Sequence, residues 1–276
     1  MILDCAGKPL DLKHPQVMGI LNVTPDSFSD GGQFYTQDKA LAQAKQMVAD
    51  GAGIIDVGGE STRPGAAVVS IEQEIARVVP VIEAIQAEID IPISIDTSKP
   101  EVMTAAVQAG AGFINDVRAL QVEGALQTAA TLNVPICLMH SQGTPQTMQD
   151  DPQYTDVVTE VTDFLLERVE VCQQAGIAKD KLILDPGFGF GKRASHNLSL
   201  MKHLNHLIEQ GFPVLVGVSR KSMIGQLLNV SSEERLAASL SLASLAVWHG
   251  AKIIRSHDVR ETMQAIMMCD HVMKVE

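Results

Sequence analysis

An α/β fold built on a parallel sheet is predicted by two features of this 276-residue sequence. Eight short apolar runs alternate with helix-length segments, and each run ends in a polar or charged cluster. Apolar runs of this length are typical of strands that are covered on both faces, as in parallel sheets. Because the polar residues gather at one end of every strand, one rim of the sheet should carry the chemistry. Eight such units in sequence predict a closed (β/α)8 barrel, the TIM barrel, whose active sites lie on that carboxyl rim.

The candidate strands and the segment before them define the expected domain organisation. With their polar ends, the eight strands cover residues 17–22, 53–63, 92–98, 113–118, 135–140, 181–192, 213–222 and 252–258. Residues 1–15 do not fit the repeat, and we expect them to form a short hairpin across the N-terminal mouth of the barrel. The sequence contains no low-complexity linker and no charge run, so we expect one domain over residues 1–276.

Helix boundaries are marked by residues with known capping preferences. Glycine tolerates the positive φ of a helix C-cap, and five glycines follow amphipathic runs in that position: Gly51, Gly110, Gly176, Gly211 and Gly250. A serine three residues before Glu or Gln is typical of a helix start, and three pairs have this spacing: Ser70 with Gln73, Ser98 with Glu101, and Ser231 with Glu234. Pro100 is expected in the first turn of its helix.

Composition and charge exclude several functional classes. The formal net charge of −12 argues against broad contact with nucleic acid or with an anionic membrane, both of which require surplus Lys and Arg. Residues 1–15 contain neither a basic segment nor a long apolar stretch, so we expect neither a signal peptide nor an anchor. The four cysteines have no CxxC spacing, which favours buried reduced thiols in a cytoplasmic protein.

Three polar residues at strand ends form a candidate binding cage. Asp96, Asn115 and Asp185 should project into the upper barrel from strands 3, 4 and 6. A buried carboxylate requires a donor, and a flat heterocycle with adjacent ring N–H and amino donors would supply two. Asn115 both donates and accepts, and Lys221 would reach a ring carbonyl or ring nitrogen. The alternative is that Asp96 and Asp185 cap loops or pair with Lys221.

A second group of residues suits an anion. Arg255 and His257 alternate at the end of strand 8, and barrel closure brings Asn22 of strand 1 beside them. This combination fits a phosphate or pyrophosphate, with Arg255 supplying a bidentate fork. The carbonyl oxygen of Asn22 is also a candidate ligand for Mg2+. The alternative is that Arg255 and His257 form salt bridges with Asp258 or Asp56.

Loops on the same rim are candidates for a second substrate site. The connections 23–36 and 60–69 are longer than ordinary βα turns, and Thr62 and Arg63 should face the mouth. The segment 219–222, SRKS, comes directly after strand 7 and before a helix. A helix N-terminus attracts anions, so a substrate carboxylate would fit there, although the string alone is a weak signal.

Several motifs closely resemble those of bacterial dihydropteroate synthases, in order and with matching spacing from about residue 16 to 260. They are MGILNVTPDSFSDGG (18–32), IDVGGESTRPGA (55–66), SIDTSKPEV (94–102), INDV (114–117), LDPGFGFGK (184–192), VGVSRKSMIG (216–225) and IIRSHD (253–258). The resemblance implies transfer of a dihydropterin-6-ylmethyl group from its pyrophosphate ester to the amine of para-aminobenzoate. The products would be 7,8-dihydropteroate and pyrophosphate.

The resemblance also implies a role for individual residues. The implied pterin pocket consists of Asp96, Asn115, Met139, Asp185, Phe190 and Lys221. The implied pyrophosphate site consists of Asn22, Arg255 and His257, with Mg2+ at Asn22. The implied aminobenzoate site consists of Phe28, Thr62, Arg63, Pro64 and Ser222. The residues expected to act in catalysis are Asp96, Asp185, Lys221, Arg255 and His257. The family further implies a homodimer and inhibition by sulfonamides that compete with aminobenzoate.

Two other functions are compatible with a pterin cage. A corrinoid-dependent methyltransferase of the wider pterin-binding barrel group would share the Asp/Asn/Asp residues but would not require the pyrophosphate site or the SRKS segment. A non-enzymatic pterin-binding protein is disfavoured by the two polar loops over a complete anion site. The sequence therefore favours the synthase, with the methyltransferase as the alternative.

Overall fold

The computed structural model describes residues 1–24, 33–61, 69–143, 148 and 151–275, with backbone only for 33–36. Two short antiparallel strands come first, β1 (Ile2–Cys5) and β2 (Lys8–Asp11). Eight parallel strands follow: β3 (Gln16–Asn22), β4 (Ile54–Gly58), β5 (Ile93–Asp96), β6 (Phe113–Asp116), β7 (Ile136–Met139), β8 (Leu182–Asp185), β9 (Leu215–Val216) and β10 (Ile253–Ser256). All eight lie within or beside the predicted ranges.

Helices connect the parallel strands. In chain order they are α1 (Gln33–Ala49), α2 (Ile71–Glu88), α3 (Pro100–Gln108), α4 (Ala125–Leu132), α5 (Val157–Gln174), α6 (Ala194–Lys202), α7 (Asn205–Ile208), α8 (Ser222–Leu228), α9 (Leu236–His249) and α10 (Val259–Met273). Within the described residues, none of these helices combines the length and apolarity needed to span a bilayer.

The barrel closes between β8 and the residues that lead into β9. The parallel sheet has the order β8-β7-β6-β5-β4-β3-β10-β9. A parallel bridge between Leu184 of β8 and Val214, just before β9, joins the two edges, and the Leu184 N–H donates to the Pro213 carbonyl at 3.0 Å. The predicted (β/α)8 barrel is therefore confirmed, with β9 as its shortest strand.

The N-terminal hairpin closes the bottom of the barrel, as expected. Leu3, Cys5, Leu10 and Leu12 form one buried cluster with inward-facing strand residues such as Phe113. The packing is close, because a Cβ atom on Gly112 would lie 2.3 Å from the Cys5 carbonyl oxygen. A functional site is therefore expected at the other end of the barrel, the carboxyl rim.

Alternation along the strands decides which side chains reach that rim. Val57, Ile95 and Leu184 belong to the core between the sheet and the helices. Successive side chains of a strand point to opposite faces, so the neighbouring residues Asp56, Asp96 and Asp185 face the barrel interior. The apolar pattern of each strand thus aims its polar residue into the barrel.

Two of the predicted capping boxes need correction. Ser70 and Gln73 form a complete box at the start of α2, as predicted. The Ser98 prediction is wrong: α3 starts after Lys99, with Pro100 in its first turn, because the Ser98 hydroxyl instead donates to the buried Asp116 carboxylate.

The third predicted box is half formed. Glu234 accepts a hydrogen bond from the Ser231 N–H at 2.9 Å, but residues 233–235 form a 3-10 turn and α9 begins at Leu236. The five glycines predicted at helix ends all have positive φ, in agreement with their C-cap role.

Candidate active site

A cluster of buried charges lies at the carboxyl ends of β4, β5, β6 and β10. The Arg255 Nε donates to Asp56 Oδ2 at 2.7 Å, and its Nη2 donates to Asp96 Oδ2 at 2.8 Å. Asn115 Nδ2 donates to the same Asp56 oxygen at 3.0 Å. Of the two interpretations of Arg255, the pairing with Asp56 is therefore found, and Asp96 shares the guanidinium.

The electrostatics of this cluster follow from burial. Burial raises the pKa of Asp96 to about 7, and the effect of Asp56 adds to the shift while Arg255 opposes it. Burial disfavours the charged Arg255, but Asp56 and Asp96 outweigh this effect and raise the pKa of the guanidinium. One cation therefore compensates two carboxylates inside the barrel.

Asp56 is the site residue that sequence reasoning missed, since it was considered only as a salt-bridge partner. Its side chain is fully buried, and among the described residues its Oδ1 has no hydrogen-bond partner. A buried acceptor without a donor is a position that a ligand donor would satisfy. The sequence signal that indicates Asp56 is its position two residues before Gly58, because this spacing places both residues on the inward face of β4.

A second charged group lies across the mouth, at β8 and the start of α8. Burial raises the pKa of Asp185 to about 6, although the Gly187 N–H and Lys221 oppose the shift. Burial and the charge of Arg255 lower the pKa of Lys221 to about 8. The Lys221 Nζ lies 4.3 Å from the centre of the Phe190 ring, within the range of a cation–π contact.

The structure brings the predicted cage residues to one rim. Asp96 and Asn115 are register partners on β5 and β6, and Met139 is the register partner of Asp185 on β7 and β8. Met139 is buried. Two acids, an amide, a lysine, a thioether and an aromatic ring thus line the upper barrel, which suits a flat polar heterocycle.

The residues predicted to bind an anion lie next to this cage. The Ser219 hydroxyl accepts from the His257 N–H at 3.2 Å and lies 3.1 Å from His257 Nδ1. These two contacts fix the orientation of the imidazole ring, which has one donor and one acceptor nitrogen when it is neutral. His257 is exposed at the mouth, where an N–H donor would face an anion.

Asn22 lies beside Asp96. A Cβ atom on Gly58 would lie 3.6 Å from both Asn22 Oδ1 and Asp96 Cβ, so the glycine keeps the space between them open. Within the described part of the chain, no group of three or more His, Cys, Asp or Glu residues is placed to hold a metal. One amide oxygen suits Mg2+ only where waters and phosphate oxygens complete the shell.

The SRKS segment is held by partners outside the cage. Arg220 has a positive φ of 54°, and its Nε donates to Asp258 at 2.9 Å. The hydrogen bond to Asp258 raises the pKa of Arg220. Asp258 thus pairs with Arg220, whereas Arg255 pairs with Asp56 and Asp96.

The predicted aminobenzoate residues are only partly described. Ser222 is exposed at the first position of α8, beside a cavity of about 520 Å³ that is also lined by Gly189, Lys192 and Asn197. Phe28, Thr62, Arg63 and Pro64 lie outside the described residues, so their predicted roles remain predictions.

The fold and the site define a barrel enzyme that binds a pterin-like heterocycle, and the sequence agrees with this class. The chain belongs to the family of pterin binding enzymes, whose model matches residues 18–257. Within that family it is similar to the dihydropteroate synthase of Escherichia coli strain K12, with 56% identity over 270 residues. The match covers 98% of this chain and 96% of the relative.

Solved structures give the same similarity. A Yersinia pestis dihydropteroate synthase in a sulfonamide drug complex has a TM-score of 0.95, 52% identity and full coverage of both chains. A Xanthomonas albilineans dihydropteroate synthase with 4-aminobenzoic acid has a TM-score of 0.94 and 50% identity, over 100% of this chain and 99% of that one. The same organism's enzyme in complex with 7,8-dihydropteroate has a TM-score of 0.91 and 47% identity, with full coverage of both chains.

The raised pKa of Asp185 predicts that Asp185→Asn stabilises the fold at alkaline pH. A carboxyl whose folded pKa is raised contributes full stability below its unfolded pKa and loses it as pH rises through about 6. Because asparagine does not ionise, the variant should exceed wild type at pH 8 by on the order of 2 kcal/mol in the free energy of unfolding. Urea unfolding at pH 8.0 and 5.5 measures this, and the difference should shrink at the lower pH.

The exposed residue Asp180 provides the matched control. Asp180→Asn should change the unfolding free energy little at either pH. An Asp185→Asn protein that is less stable than wild type at pH 8 would show that Asp185 is stabilised as a carboxylate, contrary to the burial argument.

Proposed function

We propose that this protein catalyses the dihydropteroate synthase reaction. It transfers the dihydropterin-6-ylmethyl group from its pyrophosphate ester to the amine of para-aminobenzoate, and it releases 7,8-dihydropteroate and pyrophosphate. The observation that carries the proposal is the cage of buried Asp96, Asn115 and Asp185 with half-buried Lys221 at the carboxyl rim, in a chain 56% identical to a dihydropteroate synthase. The methyltransferase alternative has no support among these relatives.

The cage residues match the edges of a dihydropterin. Its ring N–H and amino groups are adjacent donors, and the carboxylates of Asp96 and Asp185 accept them. Asn115 meets an edge with both donors and acceptors, and Lys221 donates to the ring carbonyl or a ring nitrogen. Phe190 and Met139 pack on the faces of the ring. The Asp56 oxygen that has no partner among the described residues offers a further acceptor.

Pyrophosphate binds where Asn22, His257 and Arg255 meet. A ring N–H of His257 donates to it, and Arg255 has further N–H donors beyond the two that hold Asp56 and Asp96. Mg2+ fits this group as an ion that arrives with the substrate, ligated by Asn22 and by pyrophosphate oxygens. When bound, the ion would neutralise charge on the leaving pyrophosphate.

The chemistry exchanges a C–O bond for a C–N bond at the exocyclic CH2. The electron pair of the C–O bond leaves with pyrophosphate, and the aniline nitrogen donates its pair to the carbon and then loses one proton. The pterin ring delocalises the positive charge that develops on CH2, and the carboxylate of Asp96 stabilises it electrostatically. We therefore propose that C–O cleavage runs ahead of C–N formation.

Aminobenzoate occupies the outer part of the rim. Its carboxylate lies near Ser222, and its ring lies towards Phe28, Thr62, Arg63 and Pro64, in the manner that the sequence motifs imply. Sulfonamides copy this ring and its anion. The Yersinia pestis enzyme described above was solved with a sulfonamide drug, which supports competition at the same place in this protein.

The proposed activity predicts pyrophosphate release that requires both substrates. Lys221→Ala should lower kcat/KM about 100-fold or more, since one lost electrostatic contact in an enclosed site has an effect of that size. The exposed Lys202→Ala is the matched control and should leave kcat/KM unchanged. A coupled pyrophosphate assay measures both, and a sulfonamide should raise the apparent KM for aminobenzoate without lowering kcat. Pyrophosphate release that is equally fast without aminobenzoate, or full activity in Lys221→Ala, would contradict the proposal.

The order of bond changes predicts positional isotope exchange. With 18O in the bridging position of the pyrophosphate ester and an inert mimic in place of aminobenzoate, reversible C–O cleavage should move the label into non-bridging positions. Mass spectrometry or 31P NMR of recovered ester measures the exchange. Unscrambled ester, under conditions that support turnover with aminobenzoate, would indicate direct displacement instead.

We also propose a homodimer through the outer faces of α9 and α10. These helices pack together, and the Cys269 Sγ–H of α10 donates to the Ser244 carbonyl of α9. Large apolar side chains remain exposed on both: Leu245, Trp248, Met268 and Val272. A helix that is apolar on most sides is normally covered, and an apolar patch of this kind is typical of an interface.

The interface proposal predicts that Leu245→Glu separates the subunits. Light scattering after size exclusion should give wild type a mass of about twice the 29.6 kDa of one chain. The variant should have the mass of one chain, because a charged side chain opposes burial of the patch. Leu198→Glu on α6 introduces the same change at a residue of similar exposure and should remain dimeric. A monomeric wild type, or a dimeric Leu245→Glu, would contradict this interface.

A cytoplasmic location and a single domain complete the proposal. Cys5, Cys137 and Cys172 are buried free thiols, which is typical of proteins in a reducing compartment. Residues from β3 through α10 contribute to one hydrophobic core between sheet and helices, which supports one domain over residues 1–276.

A further inference from the structure

Lys192 is a buried lysine that the proposed mechanism does not use. It ends the loop that follows β8, six residues after Pro186, and only 2% of it is exposed. The same loop carries Phe190 of the pterin pocket, and Asp185 lies at its start. A buried ammonium requires several hydrogen-bond acceptors, so the acceptors around Lys192 show which segments of the chain it connects.

The Lys192 Nζ is surrounded by acceptors from two segments. It lies 2.9 Å from the Gly187 carbonyl and 3.0 Å from the Phe190 carbonyl. It also lies 2.9 Å from His140 Nδ1 and 3.3 Å from the His140 carbonyl. The three N–H donors of an ammonium are therefore fully used, and they tie the loop after β8 to the end of β7.

These contacts favour the charged form of the lysine. Burial lowers the pKa of Lys192 to about 7, and Lys221 adds to the shift while Asp185 opposes it. Burial and the charge of Lys192 also lower the pKa of His140 to about 3, so its Nδ1 serves as an acceptor. Four acceptors around one nitrogen leave no position for the lone pair of a neutral amine.

Other residues also hold the backbone of this loop. The Gly189 N–H donates to Asn197 Oδ1 at 2.8 Å, and Asn197 Nδ2 donates to the Lys192 carbonyl at 3.2 Å. The Tyr154 hydroxyl donates to the Gly191 carbonyl at 2.9 Å. Lys192 and Asn197 thus fix the loop from its inner side.

We propose that Lys192 is a positioning residue for the pterin pocket. Its ammonium fixes the loop so that the Phe190 ring lies under Lys221, and it adds a second positive charge that keeps Asp185 available as a carboxylate. The link to Asp185 is both geometric and electrostatic, because the Gly187 N–H donates to Asp185 Oδ1 at 2.7 Å while its carbonyl accepts from Lys192. This inference rests on the proposed function.

The electrostatic part has a definite sign. Lys192 is one of the cations that oppose the raised pKa of Asp185, so removing its charge should raise that pKa above about 6. Lys221 would at the same time lose the repulsion from the positive charge of Lys192. The two imidazoles nearby do not compete near neutral pH, since burial lowers the pKa of both His140 and His196. Asp96, whose pKa burial raises to about 7, titrates in the same range in every variant, so the difference between variants reports Asp185. Loss of the Lys192 charge should therefore move the acidic limb, the fall in activity at low pH, to higher pH.

The test compares Lys192→Met, which removes the charge, with Lys192→Arg, which keeps it, and with the exposed control Lys202→Met. Calorimetry with 6-hydroxymethylpterin measures binding to the pocket without turnover. Lys192→Met should bind about tenfold more weakly, which corresponds to about 1.4 kcal/mol. The acidic limb of kcat/KM for dihydropterin pyrophosphate should rise by about half a pH unit to one unit. In Lys192→Arg the limb should stay near its wild-type position, and Lys202→Met should match wild type in both measurements.

Each outcome decides the inference. A folded Lys192→Met with unchanged pterin affinity, or with an unmoved acidic limb, overturns it. If Lys192→Met does not fold, Lys192→Gln, which keeps hydrogen-bond donors without the charge, takes its place under the same two criteria. Wild-type protein that binds the pterin but releases no pyrophosphate would overturn the proposed function and leave the binding comparison for Lys192 intact.

Discussion

The ion-pair cluster of Arg255 with Asp56 and Asp96 is the interaction on which the site depends. Two carboxylates inside a barrel are unfavourable unless a cation lies between them, and loss of one partner from such a pair typically costs about 3–5 kcal/mol. The three residues come from β10, β4 and β5. β4 and β5 are adjacent in the sheet, and only β3 lies between β4 and β10. The ion-pair cluster therefore forms only when these strands, which are far apart in the sequence, have paired in this order.

Burial disfavours the charged forms of several residues of this site. Burial raises the pKa of Asp96 to about 7 and that of Asp185 to about 6, and it lowers the pKa of Lys221 to about 8. Shifts in these opposite directions are typical of functional sites. A ligand that brings N–H donors to the acids and acceptors to the lysine would stabilise their charged forms. Groups whose burial is unfavourable in the free protein would therefore contribute to the free energy of ligand binding.

Sequence reasoning recovered the architecture because each strand carries its own signal. Eight apolar runs, the hairpin at 1–15 and the helix-ending glycines all appear in the structure. It also placed Asp96, Asn115, Asp185 and Lys221 at one rim, since the carboxyl ends of parallel strands share an edge.

The choice of partners could not be predicted in the same way. Ser98 fits a capping box by spacing, yet its hydroxyl donates to Asp116, which comes from the neighbouring strand. The competition between Asp56 and Asp258 for Arg255 is decided by Arg220, which holds Asp258. Such choices depend on distances across the barrel, and periodicity along the chain contains no information about them.

The hairpin at the bottom of the barrel has a consequence for the order of folding. Its four buried side chains lie against inward residues that include Met18 of β3 and Ile253 of β10. That surface does not exist until the last strand has been synthesised and has joined the first. The hairpin residues, which precede all the barrel strands in the sequence, are thus among the last to become buried. The hairpin can therefore dock only after the barrel has formed. Contacts of such long sequence separation form slowly.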